Sequence, residues 1–262
     1  MVISSIKYIK VFIICSLLSG LLLPASVYAF GAEVAAGFWR QNISGDIAYS
    51  PLSDQDVLNL QDDLGYDSKD RPYLRAKVEL PAFLPNLYFM ATPMRFDGDS
   101  LVGKSFRFGD TEFFAGESIY SEVKLDHYDV GLFYSIPFLE AATLGKLNVE
   151  VGLDARVVDL SAEVRSNTTG ISEKESLVFA FPMLYASVRV RPFEFLSIEA
   201  EGRGIAYNSH HYIDLIGRLR ISPFGPLFVA GGYRYEDVDF DESDILVDAT
   251  FEGPFVEAGL EF

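Results

Sequence analysis

The sequence predicts an all-β protein, a transmembrane antiparallel up-and-down β-barrel of about ten strands, with eight or twelve strands as alternatives. Three observations lead to this fold class. Apolar and polar residues alternate with period two, as in strands that have one apolar face. The alternating segments reach roughly 9–12 residues, which suits a tilted membrane-crossing strand. Tight turns also alternate with longer polar connections along the chain, as in barrels that cross a membrane.

The segment 147–157 shows the alternation clearly. Its odd positions, from Leu147 to Val157, are apolar, and its even positions are polar, charged or glycine. A soluble sandwich alternates in the same way, but its strands are usually only about 5–6 residues long. Strands are predicted at 31–49, 71–80, 86–96, 118–136, 147–165, 174–191, 196–207, 212–222, 227–236 and 251–262.

Four of the connections share a proline followed closely by phenylalanine: Pro81-Ala82-Phe83, Pro137-Phe138, Pro192-Phe193 and Pro223-Phe224. Proline ends a strand because it cannot donate to the ladder, and aromatic residues gather at membrane interfaces. We therefore expect these turns to form one rim. The other connections, at 50–70, 97–116, 166–172, 208–211 and the acidic stretch 236–248, are expected to be loops on the opposite side.

The first residues have the three parts of a secretory signal peptide. Lys7 and Lys10 are followed by the apolar run Val11–Leu23, and Val27-Tyr28-Ala29 offers a small-residue cleavage site. The run is shorter than the roughly 20 residues of a membrane-spanning helix, and no small residue precedes Cys15 as a lipoprotein signal would require. We predict a signal peptide over 1–29, cleaved after Ala29, and a barrel over 30–262.

Composition excludes several classes of site. Cys15 is the only cysteine, so the mature chain has no disulfide or thiolate metal site. The formal net charge is −17, and it becomes −19 once the segment that holds Lys7 and Lys10 is removed. Nucleic-acid partners are not expected, because their phosphates require basic patches.

The last predicted strand ends the sequence on an aromatic residue. Val256, Ala258, Leu260 and Phe262 share one face, while Glu257 and the other residues between them share the opposite face. This pattern resembles the C-terminal signal of outer-membrane barrels, and the resemblance implies the barrel-assembly machinery as a partner.

The whole mature chain resembles a family of small, uncharacterised outer-membrane β-barrel proteins of Gram-negative bacteria. The resemblance is carried by Gly37-Phe38-Trp39, Asp62-Asp63-Leu64-Gly65, Arg71-Pro72 and the C-terminal Gly259-Leu260-Glu261-Phe262. It implies location in the cell outer membrane, with lipid and lipopolysaccharide as surroundings, and it supplies no catalytic residues.

If the apolar faces meet lipid, the polar faces point into the lumen. Charges of both signs occur there in similar numbers, and pairing lowers the cost of burying them. We expect a structural plug of paired charges, with a selectivity lining as the alternative. The expected lumen charge network is Arg75, Lys77, Glu79, Glu150, Asp154, Arg156, Arg189, Glu199, Glu201, Arg203, Arg218, Arg220 and Glu257.

No convincing catalytic set is present, so neither an enzyme nor a cofactor is expected. His210 and His211 fall in a predicted outer loop beside Asp214, and Ser209 precedes them. Neighbours in a strand face opposite ways, so only one of the two histidines could enter a given site. Sequence neighbours such as Ser209 and His210 rarely reach the geometry of a nucleophile and its base.

Asp237, Asp239 and Asp241 resemble the start of a calcium loop. The pattern departs at Glu242, where the turn needs glycine, and at Asp248, where a bidentate glutamate belongs. These aspartates are therefore weak candidates for loose binding of a divalent cation in an acidic loop.

The sequence thus favours an integral outer-membrane barrel with a structural or surface-interaction role. A narrow porin-like channel for small solutes is the first alternative, with arginine and glutamate setting its selectivity. An outer-membrane hydrolase acting at the rim is the second.

Overall fold

The computed structural model describes residues 31–81, 84–207, 210–242 and 244–262. The predicted signal peptide and its cleavage after Ala29 lie outside the described residues. The strands are β1 Gly31–Tyr49, β2 Leu58–Asn59, β3 Lys69–Glu79, β4 Asn86–Thr92, β5 Arg95–Leu101, β6 Phe106–Phe108, β7 Thr111–Phe113, β8 Ser118–Ser135, β9 Leu147–Ser166, β10 Ser172–Phe193, β11 Leu196–Tyr207, β12 His210–Phe224, β13 Leu227–Glu242 and β14 Ile245–Glu261. The short helix α1 is Leu139–Ala142. No helix in the described ranges is long and apolar enough to cross a membrane.

The sheet closes on itself. β1 pairs with β3 on one side and with β14 on the other, where Val34 lies opposite Leu260. β4 and β5 both pair with β8, one after the other, so together they form a single strand of the wall. The result is a closed ten-stranded antiparallel barrel, which confirms the predicted fold class.

The barrel has two different ends. The turn end carries the first and last described residues, the connections that contain Pro81 and Pro137, and the strand ends at Pro192 and Pro223. Phenylalanine side chains are exposed there, including Phe138, Phe193, Phe224 and Phe262. The loop end carries the connections 50–68 and 102–117, which contain the small strands β2, β6 and β7.

The outer wall is divided into an apolar belt and a polar belt. On β9 the outward residues from Val151 to Val157 are apolar, whereas Asp159 and Glu163, further toward the loop end, also face outward. The inward face changes in the opposite sense, from Asp154 and Arg156 to Val158, Leu160, Ala162 and Val164. The strand keeps its alternation while its two faces exchange polarity, so the apolar belt covers only the turn-end part of the wall.

Two predicted loops are strands in the structure. β13 and β14 continue to Glu242 and Ile245, so most of the stretch 236–248 is a hairpin. β12 begins at His210, so the two histidines are strand residues as well. The prediction ended β13 at 236, before a strongly acidic stretch, but Val238 remains buried and maintains the alternation.

The loops at the loop end fold into the barrel mouth. Leu58, Leu60 and Leu64 of the first loop and Phe106 and Phe113 of the second are buried in one apolar cluster with the upper interior of the wall. We call this cluster the apolar plug. It is possible because the inward faces of the wall are apolar at this level.

Candidate functional site

The candidate site is the barrel interior, which holds two connected groups of charged side chains below the apolar plug. The lower network lies toward the turn end, and the upper network lies between it and the plug. The lower network comprises Glu33, Arg75, Lys77, Glu150, Arg189, Glu199, Glu201, Arg218, Arg220, Glu257 and Glu261. The upper network comprises Asp129, Asp154, Arg156, Arg203, Asp214, Arg234, Glu236 and His127.

Arg218 is at the centre of the lower network. Its guanidinium donates to Glu199 over 2.7 Å, to Glu33 over 3.0 Å and to Glu257. Glu199 lies directly opposite Arg218 in the β11–β12 ladder, whereas Glu33 and Glu257 come from strands β1 and β14. Arg218 therefore joins the closing pair of strands, β1 and β14, to β11 and β12.

Asp214 has the same role in the upper network. It accepts hydrogen bonds from Arg156 over 2.6 Å, from Arg234 over 2.9 Å and from Arg203 over 3.1 Å. Arg203 also donates to Glu201 over 3.2 Å, and this contact connects the two networks. A fully buried carboxylate among three guanidinium groups is stabilised by charge-assisted hydrogen bonds.

Aromatic rings pack against the guanidinium groups of the upper network. The guanidinium of Arg203 lies 4.4 Å from the ring centroid of Tyr88, and that of Arg156 lies 4.6 Å from that of Tyr212. Arg234 lies 4.6 Å from the ring of Trp39. Such cation–π contacts are strengthened where water is excluded.

Most residues of the predicted network meet in the lumen. Arg75, Lys77, Glu150, Arg189, Glu199, Glu201, Arg218, Arg220 and Glu257 lie in the lower network, and Asp154, Arg156 and Arg203 lie in the upper one. Glu79 differs, because it lies at the turn-end rim and is exposed. Asp154 is buried, yet its carboxylate forms no hydrogen bond with the residues that the structure describes.

Several residues of the networks were missed. Glu33, Asp129, Asp214, Arg234 and Glu236 are buried in the lumen and paired. Each sits at the inward parity of its strand, as Asp129 does between the outward Tyr128 and Val130. The alternate, inward-facing position of each residue in its strand was therefore the sequence signal that could have identified it.

Little open space remains between the charges. The pocket beside Lys77, Glu150 and Glu201 has a volume of about 10 Å³, which is room for about one water molecule. A larger cavity of about 360 Å³ opens at the turn end beside Arg191, Arg220 and Phe262. Above the networks the apolar plug continues the filling, with the rings of Phe96 and Phe251 5.6 Å apart. The lumen is therefore filled at two levels.

Asp56 fastens the two long loops to each other. Its carboxylate accepts hydrogen bonds from the backbone N–H groups of Arg107 over 2.7 Å, and of Leu52 and Ser53 over 2.9 Å. Burial opposes ionisation, but these hydrogen bonds hold the pKa of Asp56 below its ordinary value. The ionised carboxylate connects the first loop to the β6–β7 hairpin of the second.

The predicted metal candidates form a row on the outer wall. Asp237 and Asp239 face outward at alternate positions of β13, and Asp237 accepts from Thr250 over 3.0 Å. Alternate residues of a strand stand about 6.6 Å apart, so they do not converge on one ion. The described residues include no group of three or more histidine, cysteine or acidic side chains that could hold a metal ion. The acidic stretch through Asp241 is therefore part of strand β13 and not a loop.

The same region brings carboxylates together across strands. Asp239 lies opposite Asp248, and Asp248 lies opposite Asp46. Burial and the neighbouring carboxylates of Asp239 and Asp46 raise the pKa of Asp248. This part of the loop end is strongly acidic.

His127 and His211 lie in different environments. His127 is buried beside Glu236, with Nε2 3.2 Å from the carboxylate. His211 faces outward, and its Nε2 lies 2.8 Å from Asp237. Asp214 faces the lumen, so it does not share a site with His211 as the sequence had allowed. Ser209 lies outside the described residues.

Comparison with solved structures is consistent with this architecture. The outer-membrane protease OmpT of Escherichia coli is 8% identical, with 91% of this chain and 99% of that chain covered and a TM-score of 0.50. Its fold is that of an outer-membrane β-barrel. The translocator domain of the autotransporter NalP from Neisseria meningitidis is 12% identical over 99% of this chain and 97% of that chain, with a TM-score of 0.48. At such identities the likeness shows the fold alone.

No protein-family model and no curated protein matches the sequence. The resemblance to one particular family of small outer-membrane barrels therefore stays a prediction.

We predict that Arg218→Ala lowers the stability of the barrel. The substitution leaves Glu33, Glu199 and Glu257 without their common partner, and breaking a buried pair costs about 3–5 kcal/mol. Urea unfolding followed by the fluorescence of Trp39, the only tryptophan, measures the change. The control is Arg95→Ala, since the side chain of Arg95 is 53% exposed beside Glu122 and such pairs contribute about 0–1 kcal/mol. Equal midpoints for the two variants would contradict a structural role for the network.

We predict that Asp56→Ala exposes the segment 50–68 to proteinase K at neutral pH. The backbone N–H groups of Leu52, Ser53 and Arg107 lose their shared acceptor. Asp54→Ala, an exposed position in the same turn, is the control and should keep the wild-type cleavage pattern.

Because the folded pKa of Asp56 is lowered, its contribution to stability is present above the ordinary value of about 3.9 and is lost as pH falls through the lowered pKa. Wild-type cleavage by pepsin should therefore begin only in that acid range, and unchanged cleavage in Asp56→Ala would contradict this role.

Proposed function

We propose that this protein is an integral outer-membrane barrel with a closed lumen, and that it acts through its loop end at the cell surface. The filling of the lumen at two levels carries the proposal. A conducting barrel needs a continuous aqueous path, whereas here guanidinium and carboxylate groups pair directly and the mouth above them is apolar.

The outer wall supports a membrane location. Its apolar belt is bounded at the turn end by exposed rings such as Phe138, Phe193 and Phe224. Aromatic girdles of this kind mark the interfaces of membrane barrels. Lipid, including lipopolysaccharide in the outer leaflet, would surround the belt, and the final strand with Phe262 would be the part read by the barrel-assembly machinery.

The orientation follows from the lengths of the connections. In outer-membrane barrels the short turns are periplasmic and the long loops are extracellular. The segments 50–68 and 102–117 would therefore stand outside the cell.

We also propose that the protein is not an enzyme, because its interior charged side chains are paired with one another and His211 faces away from them.

The orientation predicts the labelling of single cysteines on intact cells. Asp62→Cys, in the exposed first loop, should react with a membrane-impermeant thiol reagent, and Glu194→Cys, exposed at the turn end, should react only after lysis. The natural chain adds no background label once the segment holding Cys15 is removed. The reverse pattern would invert the topology, and recovery of the protein in the soluble fraction would refute the location.

The closed lumen predicts that the purified protein does not conduct. In a planar bilayer, wild-type protein should give no steps above baseline in concentrated potassium chloride, because no open path runs through the networks. Insertion is verified separately by faster gel migration of the unboiled sample. Reproducible ohmic steps from wild-type protein would favour the porin-like alternative.

A further inference from the structure

Asp154 differs from the other carboxylates of the upper network because no group donates a hydrogen bond to it. The residue is only 2% exposed, and neither carboxylate oxygen accepts from the described residues. Arg203 Nε lies 3.8 Å from Asp154 Oδ2, which is beyond hydrogen-bonding distance, and this Nε is itself without an acceptor. An ionised carboxylate is costly to bury in this state.

The side chain of Asp154 leans from β9 toward β8. A Cβ atom placed on Gly131, directly opposite in the ladder, would come within 2.9 Å of Asp154 Oδ2. Asp129 is two positions before Gly131 on the same inward face of β8. The two carboxylates are therefore neighbours, and their charges would repel each other.

The other strands around Asp154 present no free cation to it. β10 places the thioether of Met183 opposite. β4 places Tyr88 nearby, since a Cβ atom on Gly131 would also lie 3.2 Å from the Cβ of Tyr88. The guanidinium of Arg203, from β11, lies over the ring of Tyr88.

The three guanidinium groups of the upper network already donate to other carboxylates. None of them donates to Asp154. Their acceptors are Asp214 and Glu201 for Arg203, Asp129 and Asp214 for Arg156, and Asp214 and Glu236 for Arg234.

The charges of the upper network do not balance. The three guanidinium groups face four carboxylates, those of Asp129, Asp154, Asp214 and Glu236. The lower network has no surplus positive charge to offset this, since it contains six carboxylates and five cationic groups. A net charge held away from water is unfavourable, so we expect one further positive charge in the upper network.

His127 could take a proton, but its contacts favour the neutral ring. Its Nδ1 lies 3.3 Å from the carbonyl of Leu125, where an N–H is needed. Its Nε2 lies 3.2 Å from a terminal nitrogen of Arg234, which can only donate. Nε2 is also 3.2 Å from Glu236, but that carboxylate already accepts from Arg234. The lone pair of Nε2 is therefore the partner of Arg234.

A metal cation fits Asp154 less well than a proton. Hard cations take several oxygen ligands, and the described residues hold no group of three or more histidine, cysteine or acidic side chains arranged to bind one. A proton needs a single oxygen. As a carboxylic acid, Asp154 would carry no charge beside Asp129 and would gain an O–H donor.

We propose that the upper network binds one proton at neutral pH, and that Asp154 carries it as a neutral carboxylic acid whose O–H donates to Asp129. The charges of the upper network then balance. Folding takes up this proton, because an aspartate of the unfolded chain is ionised above about pH 3.9. The barrel therefore loses stability as pH rises, until Asp154 ionises in the folded state.

The first test compares urea unfolding of the full barrel in wild-type protein and in Asp154→Asn at several pH values. Asparagine has the shape of the protonated acid and cannot ionise. The unfolding constant of the wild type, divided by that of the variant, should increase by at least about tenfold between about pH 5 and pH 7, because only the wild type takes up the proton on folding. A ratio that does not change with pH would overturn the proposal.

A matched variant separates this role from the loss of any buried carboxylate. Asp214→Asn makes the same chemical change at a carboxylate that three guanidinium groups contact. At neutral pH it should raise the unfolding constant by at least about tenfold, whereas Asp154→Asn should leave it unchanged or lower it. An equal rise in both variants would show that Asp154 is ionised and paired.

Infrared spectroscopy detects the proton in the wild-type barrel itself. A carbonyl stretching band of a protonated carboxyl group, sensitive to deuterium oxide, should be present at neutral pH. It should disappear in Asp154→Asn and persist in Asp54→Asn, whose substitution lies in an exposed turn. Absence of the band from the wild type refutes the proposal even where a variant does not fold. The proposed closed lumen is tested separately by conductance, since the networks fill the barrel in either protonation state.

Discussion

Charged side chains inside a narrow barrel lose their hydration, and the attraction of a partner compensates for that loss only where the geometry is good and the remaining donors and acceptors are satisfied. In this barrel the central groups Arg218 and Asp214 meet the condition because each is shared among several partners, whereas the carboxylate of Asp154 forms no hydrogen bond with the described residues. Arg218 contacts carboxylates from three strands, and Asp214 contacts three guanidinium groups. Shared partners connect β1 and β14 to β11 and β12, so the network also supports the closure of the barrel.

The networks occupy the level at which the outer wall is apolar. Where the outer face becomes polar, as at Asp159 and Glu163 of β9, the inner face becomes apolar and the loops pack against it. The exchange of polarity divides the molecule into a lipid-facing part with a charged interior and a water-facing part with an apolar interior. Both parts are filled, and this filling is the observation from which we propose a structural or surface role in place of transport.

The loop end is the part of the molecule that varies most around the wall. Asp56 joins the two long loops and holds them over the mouth. The β9–β10 hairpin extends beyond β11 at this end, since β10 pairs with β9 from Ser172 but with β11 only from Leu184.

The period-two pattern was enough to predict the ten strands, the Pro-Phe turn end and most of the lumen charges, because alternation is a local property that a single strand displays. Glu33 and Arg234 show what alternation leaves undecided. Each has the inward parity of its own strand, but their partners Arg220 and Asp214 come from other strands.

The sequence by itself determined the fold class and which residues of a strand share a face, since both depend on residues two positions apart. The tertiary structure decided which charges meet, how the long loops fill the mouth, and that Asp237 and Asp239 continue a strand. It also decided that β10 pairs with β9 further toward the loop end than with β11, because register between distant strands follows from closure of the whole wall.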